Sequence, residues 1–533
     1  VVFQNVATAA GLDFHHVNGA SAAKHIAETM GAGGLFFDFD GDGWLDVLLV
    51  DGGSLVDPAA AARARHRLFR NRGDGTFTDV SATAGLARTA YGMGGCAADY
   101  DNDGRVDVYL TNVGPNVLYH NDGDGRFSDR TRTAGAGVDS LSSSCSFVDV
   151  EADGDVDLFV VTYVDAEGPI KACGTGRVRA YCRPDVFRGA LDRLFLNNGD
   201  GTFTDRSARA GVGGPDGKGL GVVAGDIDDD GRPDLFVAND LAPNFLYRNQ
   251  GGGVFREGAL LSGVAVAADG KVRAGMGTDL ADYDGDGRLD LVVTNFEFEG
   301  HNLFRNLGNG LFADVSYESG IAVATLPFLG FGVAFVDYDN DTDLDLAIAN
   351  GHVLDNTSVF RASSRYAQRN LLLVNNGKGF FRDAGTAAGS GFALEKVSRG
   401  LVAGDIDNDG DQDLLITNNG QTVDLLRNDG GHRGGALLVR LVGRQSNRDG
   451  IGARVRATIG GRTQVREVKA GSSYLGQGDP RVHVGLGGAA RVDRLEVRWP
   501  NGRTEVIDDV AGGQIVTVTE GLGVTARTKF VAR

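Results

Sequence analysis

An acidic nonapeptide with the consensus D-x-D-x-D-G-x-x-D recurs seven times along the chain. Carboxylates stand at positions 1, 3, 5 and 9, and a glycine at position 6 permits a sharp bend. Carboxylate oxygens gathered around such a turn are ligands for a hard cation, and calcium fits this set best. The candidate metal ligands are Asp38, Asp40, Asp42 and Asp46; Asp99, Asp101, Asp103 and Asp107; Asp149, Glu151, Asp153 and Asp157; Asp226, Asp228, Asp230 and Asp234; Asp282, Asp284, Asp286 and Asp290; Asp337, Asp339, Asp341 and Asp345; and Asp405, Asp407, Asp409 and Asp413.

Two other interpretations of these segments are weaker. A single acidic cluster would be a solvated surface, but seven copies in register argue against that interpretation. An EF-hand needs a Glu at position 12 and flanking helices, whereas here an Asp at position 9 precedes a strand. Glu151 departs from the consensus in the third copy, and Thr342 replaces the glycine in the sixth. We therefore expect five to seven calcium ions with a structural role.

The elements that must position these loops are short β-strands. Successive copies begin 50 to 77 residues apart, which is the length of a four-stranded propeller blade. Each copy leads into a β-rich stretch such as LDVLLV, and six copies are followed by a hairpin such as LFRNRGDGTFTDV. The seventh hairpin lacks its outer strand, and residues 3–12 (FQNVATAAGL) resemble that missing strand. The sequence predicts an all-β, seven-bladed β-propeller closed by its N-terminal strand.

The repeat ends near Gly435, and short alternating strands follow. They predict a small β-sandwich domain after the propeller. The expected boundaries are 1–434 for the propeller, 435–522 for the β-sandwich and 523–533 for a basic C-terminal tail, which is either an unpaired strand or disordered.

The composition excludes several classes of function. Lys and Arg number 52 against 71 Asp and Glu, giving a formal charge of −19. This charge argues against a surface that binds nucleic acid or an anionic membrane. No window approaches 18 uninterrupted apolar residues, so we expect no membrane span. The chain starts at Val1 without Met, and a removed signal peptide is one interpretation of that start.

Four cysteines are present. Cys173 and Cys182 lie nine residues apart within one insertion, and we expect them to form a disulfide. Cys96 and Cys145 occupy matching places in successive repeats. They pair with each other or remain a buried pair of free thiols, and the sequence leaves both alternatives open.

A second set of polar residues marks the face opposite the acidic loops. A polar residue, Asn in five of the seven repeats, ends the second strand of each repeat, where propellers gather ligand-binding loops. The alternative role is to satisfy turn backbones. Histidines in nearby loops offer a transition-metal site or an acid and base, although no diagnostic spacing occurs. The candidate ligand face comprises His15, His25, Asn112, Asn239, Asn295, His301, Asn350, His352 and Asn418.

Several segments resemble known families. The acidic loops with N-x-G-x-G-x-F hairpins look like the FG-GAP (VCBS) repeats of integrin α-chain propellers, and HVNGASAAKHIAETMGAGGLFFDFDGDG looks like the cartilage acidic protein family. NRDGIGARVRATIGG and VDRLEVRWPNG are similar to the ASPIC/UnbV domain that ends members of that family, and CGTGRVRAYCRPD resembles its paired-cysteine insertion. The resemblance implies a secreted calcium-binding protein, with animal members in extracellular matrix and bacterial members often of unknown role.

These observations favour a secreted or cell-surface binding or scaffold protein. Its partner would be an extracellular protein, a glycan or a small molecule. One alternative is an enzyme, a cyclase or lyase acting on a secondary metabolite through the candidate ligand face. Another is a subunit that self-assembles into a surface layer or filament through its terminal strands.

Overall fold

The computed structural model describes residues 2–86, 91–166, 170–214 and 216–532. Strand β1 (Val2–Asn5) opens the chain, and seven four-stranded antiparallel sheets then follow one another along the sequence. We number the sheets 1 to 7, and we number each acidic loop, which joins the first two strands of its sheet, in the same way. The acidic loops are residues 38–46, 99–107, 149–157, 226–234, 282–290, 337–345 and 405–413.

Sheets 1 to 3 run from β2 to β15, and sheet 3 has a long insertion between its second and third strands. Within the insertion of sheet 3, two short strands form a separate hairpin. The strands are β2 (Gly34–Phe37), β3 (Asp46–Leu49), β4 (Arg67–Asn71) and β5 (Phe77–Asp79); β6 (Gly92–Ala98), β7 (Asp107–Pro115), β8 (Val117–Gly123) and β9 (Arg126–Asp129); and β10 (Asp139–Val148), β11 (Asp157–Thr162), the hairpin β12 (Cys173–Thr175) and β13 (Val178–Ala180), β14 (Arg193–Asn197) and β15 (Phe203–Asp205).

Sheets 4 to 7 continue the pattern, and sheet 7 supplies only three strands of its own. The strands are β16 (Gly219–Gly225), β17 (Asp234–Asn239), β18 (Phe245–Asn249) and β19 (Phe255–Glu257); β20 (Thr278–Ala281), β21 (Asp290–Val293), β22 (Asn302–Gly308) and β23 (Leu311–Asp314); β24 (Gly330–Val336), β25 (Asp345–Asn350), the extra strand β26 (Gln368–Arg369), β27 (Leu371–Asn375) and β28 (Phe381–Asp383); and the extra strand β29 (Glu395–Lys396), β30 (Ser398–Gly404), β31 (Asp413–Asn418) and β32 (Asp424–Asp429).

The sheets close into a ring. The first strand of each sheet packs against the first strand of the next, and β30 packs back against β2. Strand β1 pairs antiparallel with β32, placing Phe3 opposite Asn428, so the N-terminal segment completes sheet 7. The prediction of an all-β propeller closed by its N-terminal strand is confirmed. Closure leaves no open sheet edge at the junction of the two ends of the ring.

Helices are short and lie between strands. After sheets 1 to 4 an Asp or Glu that ends the outer strand accepts a hydrogen bond from the first residue of a helical turn, as Asp79 does from the Ser81 N–H at 2.9 Å. Among the described residues, no helix has the length and hydropathy needed to cross a bilayer. The α-helices are α1 (Pro58–Arg63), α2 (Ser81–Ala84), α3 (Thr131–Ala134), α4 (Ser207–Ala210), α5 (Ala259–Ser262), α6 (Ile321–Thr325) and α7 (Thr357–Phe360). The 3-10 helices are Ile26–Thr29, Pro184–Val186, Gly385–Ala388, Ser390–Ala393 and Gly431–Gly434.

Both pairs of cysteines form disulfides. Cys96 in β6 is bonded to Cys145 in β10, which joins sheets 2 and 3 covalently between their first strands. Cys173 is bonded to Cys182 across the insertion hairpin, as the sequence predicts. The structure thus decides between the two alternatives left open for Cys96 and Cys145.

The C-terminal domain consists of two four-stranded sheets packed on a shared core that includes Leu437, Val455, Val497, Trp499 and Val516. One sheet has the order β37-β33-β40-β41 and the other β35-β34-β38-β39. The strands are β33 (Ala436–Val442), β34 (Arg454–Ile459), β35 (Arg462–Glu467), β36 (Gly476–Gln477), β37 (Val482–Gly485), β38 (Arg491–Arg498), β39 (Thr504–Ala511), β40 (Gln514–Thr519) and β41 (Gly523–Lys529).

The basic C-terminal segment is neither unpaired nor disordered, and that expectation was wrong. Residues 523–529 form β41, which pairs antiparallel with β40 and is the edge strand of its sheet. The Val531 N–H then donates to the Asn408 carbonyl at 2.8 Å, in acidic loop 7. Alternating polar and apolar residues extend the sheet because β40 offers a free row of backbone donors and acceptors. Arg533 lies outside the described residues.

A segment of the C-terminal domain enters the centre of the ring, and we call residues 469–479 the plug. Strand β36 of the plug pairs in parallel with β2 of sheet 1. The Tyr474 hydroxyl donates to the Met30 carbonyl at 2.8 Å, and the Leu475 N–H donates to the Ser144 hydroxyl at 3.1 Å. The fit is close: a Cβ on Gly94 would lie 2.6 Å from the Leu475 carbonyl oxygen. The plug therefore fills the axis that the first strands surround.

Candidate functional site

The acidic loops curl around their own carboxylates. In acidic loop 1 the Asp38 carboxylate accepts hydrogen bonds from the backbone N–H groups of Asp42 at 3.0 Å and Gly43 at 2.9 Å. The Asp42 carboxylate accepts from the Trp44 N–H at 3.0 Å. Acidic loop 2 repeats these contacts with Asp99 and Asp103 as the acceptors. Repetition of the same bonds shows that the motif encodes one loop conformation.

Within several loops the carboxylates converge on one point. In each group, one oxygen from every member lies within 4.8 Å of the others. Such grouping suits a cation with several oxygen ligands, and alkaline-earth ions take six to eight. The groups include Asp38, Asp40 and Asp42; Asp99, Asp101 and Asp107; Asp226, Asp228 and Asp230; and Asp282, Asp284 and Asp290.

The ninth-position Asp has a second role that the sequence analysis missed. Asp46 is fully buried, and its carboxylate accepts the backbone N–H groups of Phe39 at 3.0 Å and Asn71 at 2.8 Å. The Asn71 amide donates to the Leu45 carbonyl and also to the Ile406 carbonyl, in acidic loop 7 of the adjacent sheet 7, at 2.8 Å. The Asp and the hairpin Asn together therefore fasten each sheet to the preceding one.

The same arrangement recurs in every sheet, and the first residue of the N-x-G-x-G pattern was its signal in the sequence. In each pair the Asp accepts the backbone N–H of the Asn. The side-chain amide of that Asn donates to a carbonyl in the neighbouring sheet. The remaining pairs are Asp107 with Asn121, Asp157 with Asn197, Asp234 with Asn249, Asp290 with Asn306, Asp345 with Asn375 and Asp413 with Asn428.

The electrostatics of the loops favour a bound cation. Burial, followed by the nearby carboxylates, raises the pKa of Asp46 to about 8 and of Asp107 to about 9. Several buried carboxylate oxygens accept no hydrogen bond from any described residue, which would be costly unless another ligand met them. These are Asp228 Oδ1, Asp234 Oδ2, Asp282 Oδ1, Asp337 Oδ1, Asp339 Oδ1 and Asp345 Oδ2. The donor set thus fits a hard divalent cation.

The two loops that depart from the consensus keep the same turn. In acidic loop 3 the Asp149 carboxylate accepts the Gly154 N–H at 3.1 Å, but Glu151 is exposed. In acidic loop 6 Thr342 has φ 88°, in the left-handed region that glycine occupies in the other loops. Its hydroxyl accepts a hydrogen bond from the Arg462 guanidinium at 2.9 Å.

Arginines of the C-terminal domain cover acidic loops 4 to 7. Arg454, whose side chain is 2% exposed, bonds to Asp229 at 2.7 Å and to Glu467 at 3.1 Å. Arg481 donates to the Asn408 side chain at 2.6 Å and to the Asp405 carbonyl at 2.7 Å. Arg462 pairs with Asp343. Burial raises the pKa of Asp282 and of Asp337, and the charge of the partly buried Arg466 opposes that rise.

Acidic loops 1 to 3 have a different cover. Among the described residues, the domain forms an ion pair with these loops through Arg440, whose Nη1 lies 3.9 Å from Asp38 Oδ2 and whose side chain is half exposed. Loop 2 instead meets an acid, because the Asp99 N–H donates to the Asp449 carboxylate at 2.8 Å. The sequence analysis missed this docking surface. Its signal was that residues 435–522 contain thirteen Lys and Arg against nine Asp and Glu, in a chain that is acidic overall.

On the opposite face, the predicted asparagines are buried. Asn239, Asn350 and Asn418 end their strands, whereas Asn112 lies within β7 and Asn295 lies two residues beyond β21. Their side-chain amides donate to backbone carbonyls of the segments that follow, at 2.7 to 3.0 Å. These contacts hold turns, and the side chains themselves are at most 1% exposed. The donor and acceptor residues are Asn112 and Pro115, Asn239 and Pro243, Asn295 and Gly300, Asn350 and Arg369, and Asn418 and Thr422.

The predicted histidines have separate local partners. His301 is fully buried and its Nδ1 accepts the Asn295 N–H, while burial lowers its pKa to about 3. Burial lowers the pKa of His352 to about 4, and its Nδ1 accepts the Leu354 N–H at 2.9 Å. His25 accepts the Ala27 N–H as the cap of a 3-10 helix, and His15 is exposed. Both buried imidazoles are therefore neutral at physiological pH.

Comparison with known proteins identifies the two parts of the chain. A model of the FG-GAP-like repeat matches residues 38–110, 99–160, 182–237, 226–293 and 282–348. A model named ASPIC and UnbV matches residues 443–524, within the C-terminal domain. The repeat matches together cover more than half of the chain.

Relatives with curated names include cartilage acidic protein 1 from human and mouse. The human protein is 30% identical over 337 residues, covering 61% of this chain and 47% of the relative. The mouse protein is 30% identical over 371 residues, covering 65% and 53%. The chain thus spans about half the length of these relatives.

Among solved structures, an Agrocybe aegerita lectin that recognises non-reducing terminal N-acetylglucosamine is 19% identical, with a TM-score of 0.37 over 66% of this chain and 79% of the lectin. A likeness at that level carries no argument about function. The repeat matches show that the chain belongs to the family of proteins with FG-GAP-like repeats, which here precede an ASPIC and UnbV domain, and the chain is similar to cartilage acidic protein 1.

Proposed function

We propose that the protein is an extracellular binding or scaffold protein whose propeller is held in shape by calcium. The observation that carries this proposal is the repetition of one loop conformation in which buried carboxylate oxygens converge and several lack a hydrogen-bond donor. The two disulfides agree with an oxidising, extracellular compartment. Relatives named cartilage acidic protein 1 support the same location.

Calcium would act on the loops in two ways. It would replace repulsion among three or four carboxylates with attraction to a shared ion, and it would displace the protons that burial makes those carboxyls hold. In acidic loop 1 the ligands would be the four Asp side chains and the Trp44 carbonyl. The ninth Asp would then connect each ion to the hairpin Asn and so to the neighbouring sheet. Calcium would therefore stabilise contacts between sheets as well as single loops.

Calcium titration of the EDTA-stripped full chain tests this proposal. We expect five to seven bound ions by elemental analysis after dialysis, and a higher Tm with calcium than with EDTA. An ion at 100 times its Kd adds about 2.7 kcal/mol per site to the free energy of unfolding. Magnesium at the same concentration should give a smaller shift, because it requires octahedral geometry and dehydrates reluctantly.

A pair of variants assigns the effect to the loops. Asp101→Asn with Asp103→Asn removes two carboxylates from acidic loop 2, and we expect it to bind one calcium ion fewer. The matched control is Asp124→Asn, an exposed carboxylate in the hairpin of the same sheet, which should leave the count unchanged. An equal Tm in calcium and EDTA, or the same count in both variants, would contradict the proposal.

A further inference from the structure

The face opposite the acidic loops holds a cavity of about 290 Å³. It lies above the plug, because its floor includes Phe331, whose ring stacks edge-on against Tyr474 with centroids 4.9 Å apart. One wall is the end of the insertion that the Cys173–Cys182 disulfide braces. The plug therefore lies beneath the floor of the cavity, and the disulfide-braced insertion forms one of its walls.

Most of the lining is apolar. Ile26, Met30, Met276, Phe296, Phe331 and Val353 face the space. Two aromatic rings and two methionines make an adaptable apolar surface of the kind that encloses the body of a small organic molecule. A lining of this size and composition is typical of ligand sites, which also place a few polar groups among apolar ones.

Two carboxylates interrupt the apolar lining. Asp240 is 8% exposed, and one of its oxygens accepts the Tyr163 hydroxyl at 2.6 Å. Glu299 accepts the Ala274 N–H at 2.9 Å through one oxygen. Burial raises the pKa of both groups, and that of Asp240 to about 7. Each carboxyl group is therefore costly to ionise without a positive partner.

The cations near this cavity form no ion pair with Asp240 or Glu299 among the described residues. Burial raises the pKa of both carboxyls more than the charges of Arg183, Lys218 and Arg273 lower it. Arg183 is the basic residue of the described lining, and its side chain is 72% exposed and pairs with Asp185 at 3.2 Å. The buried Arg399 lies behind Phe331, with its guanidinium 4.0 Å from the ring centroid, and donates to the carbonyls of Thr29 and Gly351. The cavity therefore presents negative charge on an apolar background.

We propose that this cavity binds a small organic cation, a primary ammonium group on an apolar body, with the ammonium against Asp240 and Glu299. The apolar body lies against Phe296, Phe331 and Met276, and the faces of the two phenylalanine rings also attract the positive charge. An anion would be repelled by the two carboxylates, and a neutral apolar molecule would leave them buried without a partner. This site is separate from the acidic loops and does not rest on the proposed calcium role.

Calorimetric titration of the calcium-loaded full chain tests the proposal with butylamine, benzylamine and phenethylamine as probes. We expect at least one amine to bind with 1:1 stoichiometry, and 3-phenylpropionate, an anion with a similar apolar body, not to bind. Asp240→Asn keeps an acceptor for Tyr163 but removes the charge, and we expect it to weaken amine binding about tenfold or more. Glu299→Gln should weaken it less, because one Glu299 oxygen is held by the Ala274 N–H.

The matched control is Asp124→Asn, an exposed carboxylate in the hairpin of sheet 2 and outside the cavity lining, and it should leave amine affinity unchanged. A Tm within a degree or so of the parent shows that each variant is folded. Failure of all three amines to bind at 10 mM, equal binding of the anion, or unchanged affinity in Asp240→Asn would each overturn the proposal. None of these results bears on calcium, which the elemental count measures independently.

Discussion

Acidic loops 1 to 3 and acidic loops 4 to 7 share one motif but have different surroundings. Over loops 4 to 7 the C-terminal domain places Arg454, Arg462, Arg466 and Arg481, which neutralise part of the carboxylate charge. Over loops 1 to 3 it presents main chain, the Asp449 carboxylate and the half-exposed Arg440. Arginines of the C-terminal domain thus pair with the nonapeptide in one half of the ring, whereas in loops 1 and 2 its carboxylates pair mainly with residues of the propeller, such as Arg70 and Arg105.

The difference shows how a repeat can diverge without changing its own sequence. The loop conformation is local, since the carboxylate at position 1 of the motif accepts hydrogen bonds from the backbone N–H groups at positions 5 and 6. The charge balance is not local, because it depends on a domain that follows the propeller. Three sets of variants test whether the C-terminal domain makes the two halves of the ring differ.

The largest effect is expected where an arginine is buried over the ring. Arg454→Met removes the partner of Glu467, whose side chain is 4% exposed, so an unpaired buried charge remains and the free energy of unfolding should fall by about 3–5 kcal/mol. Arg440→Met, over loop 1, removes a half-exposed contact and should cost less than about 1 kcal/mol. Urea unfolding of both variants measures the difference.

A double variant shows how much of the stability loss in Arg454→Met comes from the unpaired Glu467 charge and how much from lost side-chain packing. Arg454→Met with Glu467→Leu removes both charges and should recover much of the stability that Arg454→Met loses. Equal costs for Arg454→Met and Arg440→Met would show that the C-terminal arginines do not distinguish the two halves of the ring.

A smaller effect is expected at the sixth position of the loops. Thr342→Gly in loop 6 relieves a side chain held at φ 88° and should stabilise the protein by about 1 kcal/mol. The matched reverse change is Gly104→Thr in loop 2, at φ 91°, where an added Cβ meets no atom within 4 Å. It should destabilise by a similar amount through backbone strain alone. Opposite shifts in Tm check this, and shifts of the same sign would show that contacts of the Thr342 side chain matter more than its backbone.

A pH-dependent effect is expected where the C-terminal domain reaches loops 2 and 3. Glu520 accepts the backbone N–H groups of Arg444, Gln445 and Ser446, and these bonds lower its pKa to about 2. The contribution of the Glu520 charge to the free energy of unfolding is complete above the ordinary Glu pKa of about 4.3 and is lost as the pH falls through about 2. Glu520→Gln should therefore be less stable than the parent at pH 7, with a difference that narrows between about pH 5 and pH 2.

Urea midpoints of the two proteins at pH 7, 5, 4 and 3 measure that difference. Glu318→Gln, an exposed carboxyl on sheet 5, serves as the control and should follow the parent at every pH. A difference that stays constant down to pH 3 would mean that the Glu520 charge does not hold the segment 444–446.

The hairpin pattern shows where sequence reasoning succeeded and where it stopped. The glycines of LFRNRGDGTFTDV predict a turn between two strands, and β4 and β5 form that hairpin. The same pattern did not reveal that Asn71 bonds to Ile406, because those residues are 335 positions apart. On the candidate ligand face, Asn350 ends β25, but its amide bonds to the Arg369 carbonyl and holds a turn.

The repeat, the strands, the acidic loops and the closure of the ring are predictable from the amino-acid sequence, because each depends on residues adjacent along the chain or on similarity between repeats. The folded molecule was needed to reveal that the C-terminal domain docks on the acidic loops, that the plug fills the axis, and that Asp240 and Glu299 border an apolar cavity. Those contacts join single residues far apart in the chain. A periodic pattern carries no information about them, since each occurs once and is fixed by shape and charge between surfaces that form only after the strands have paired.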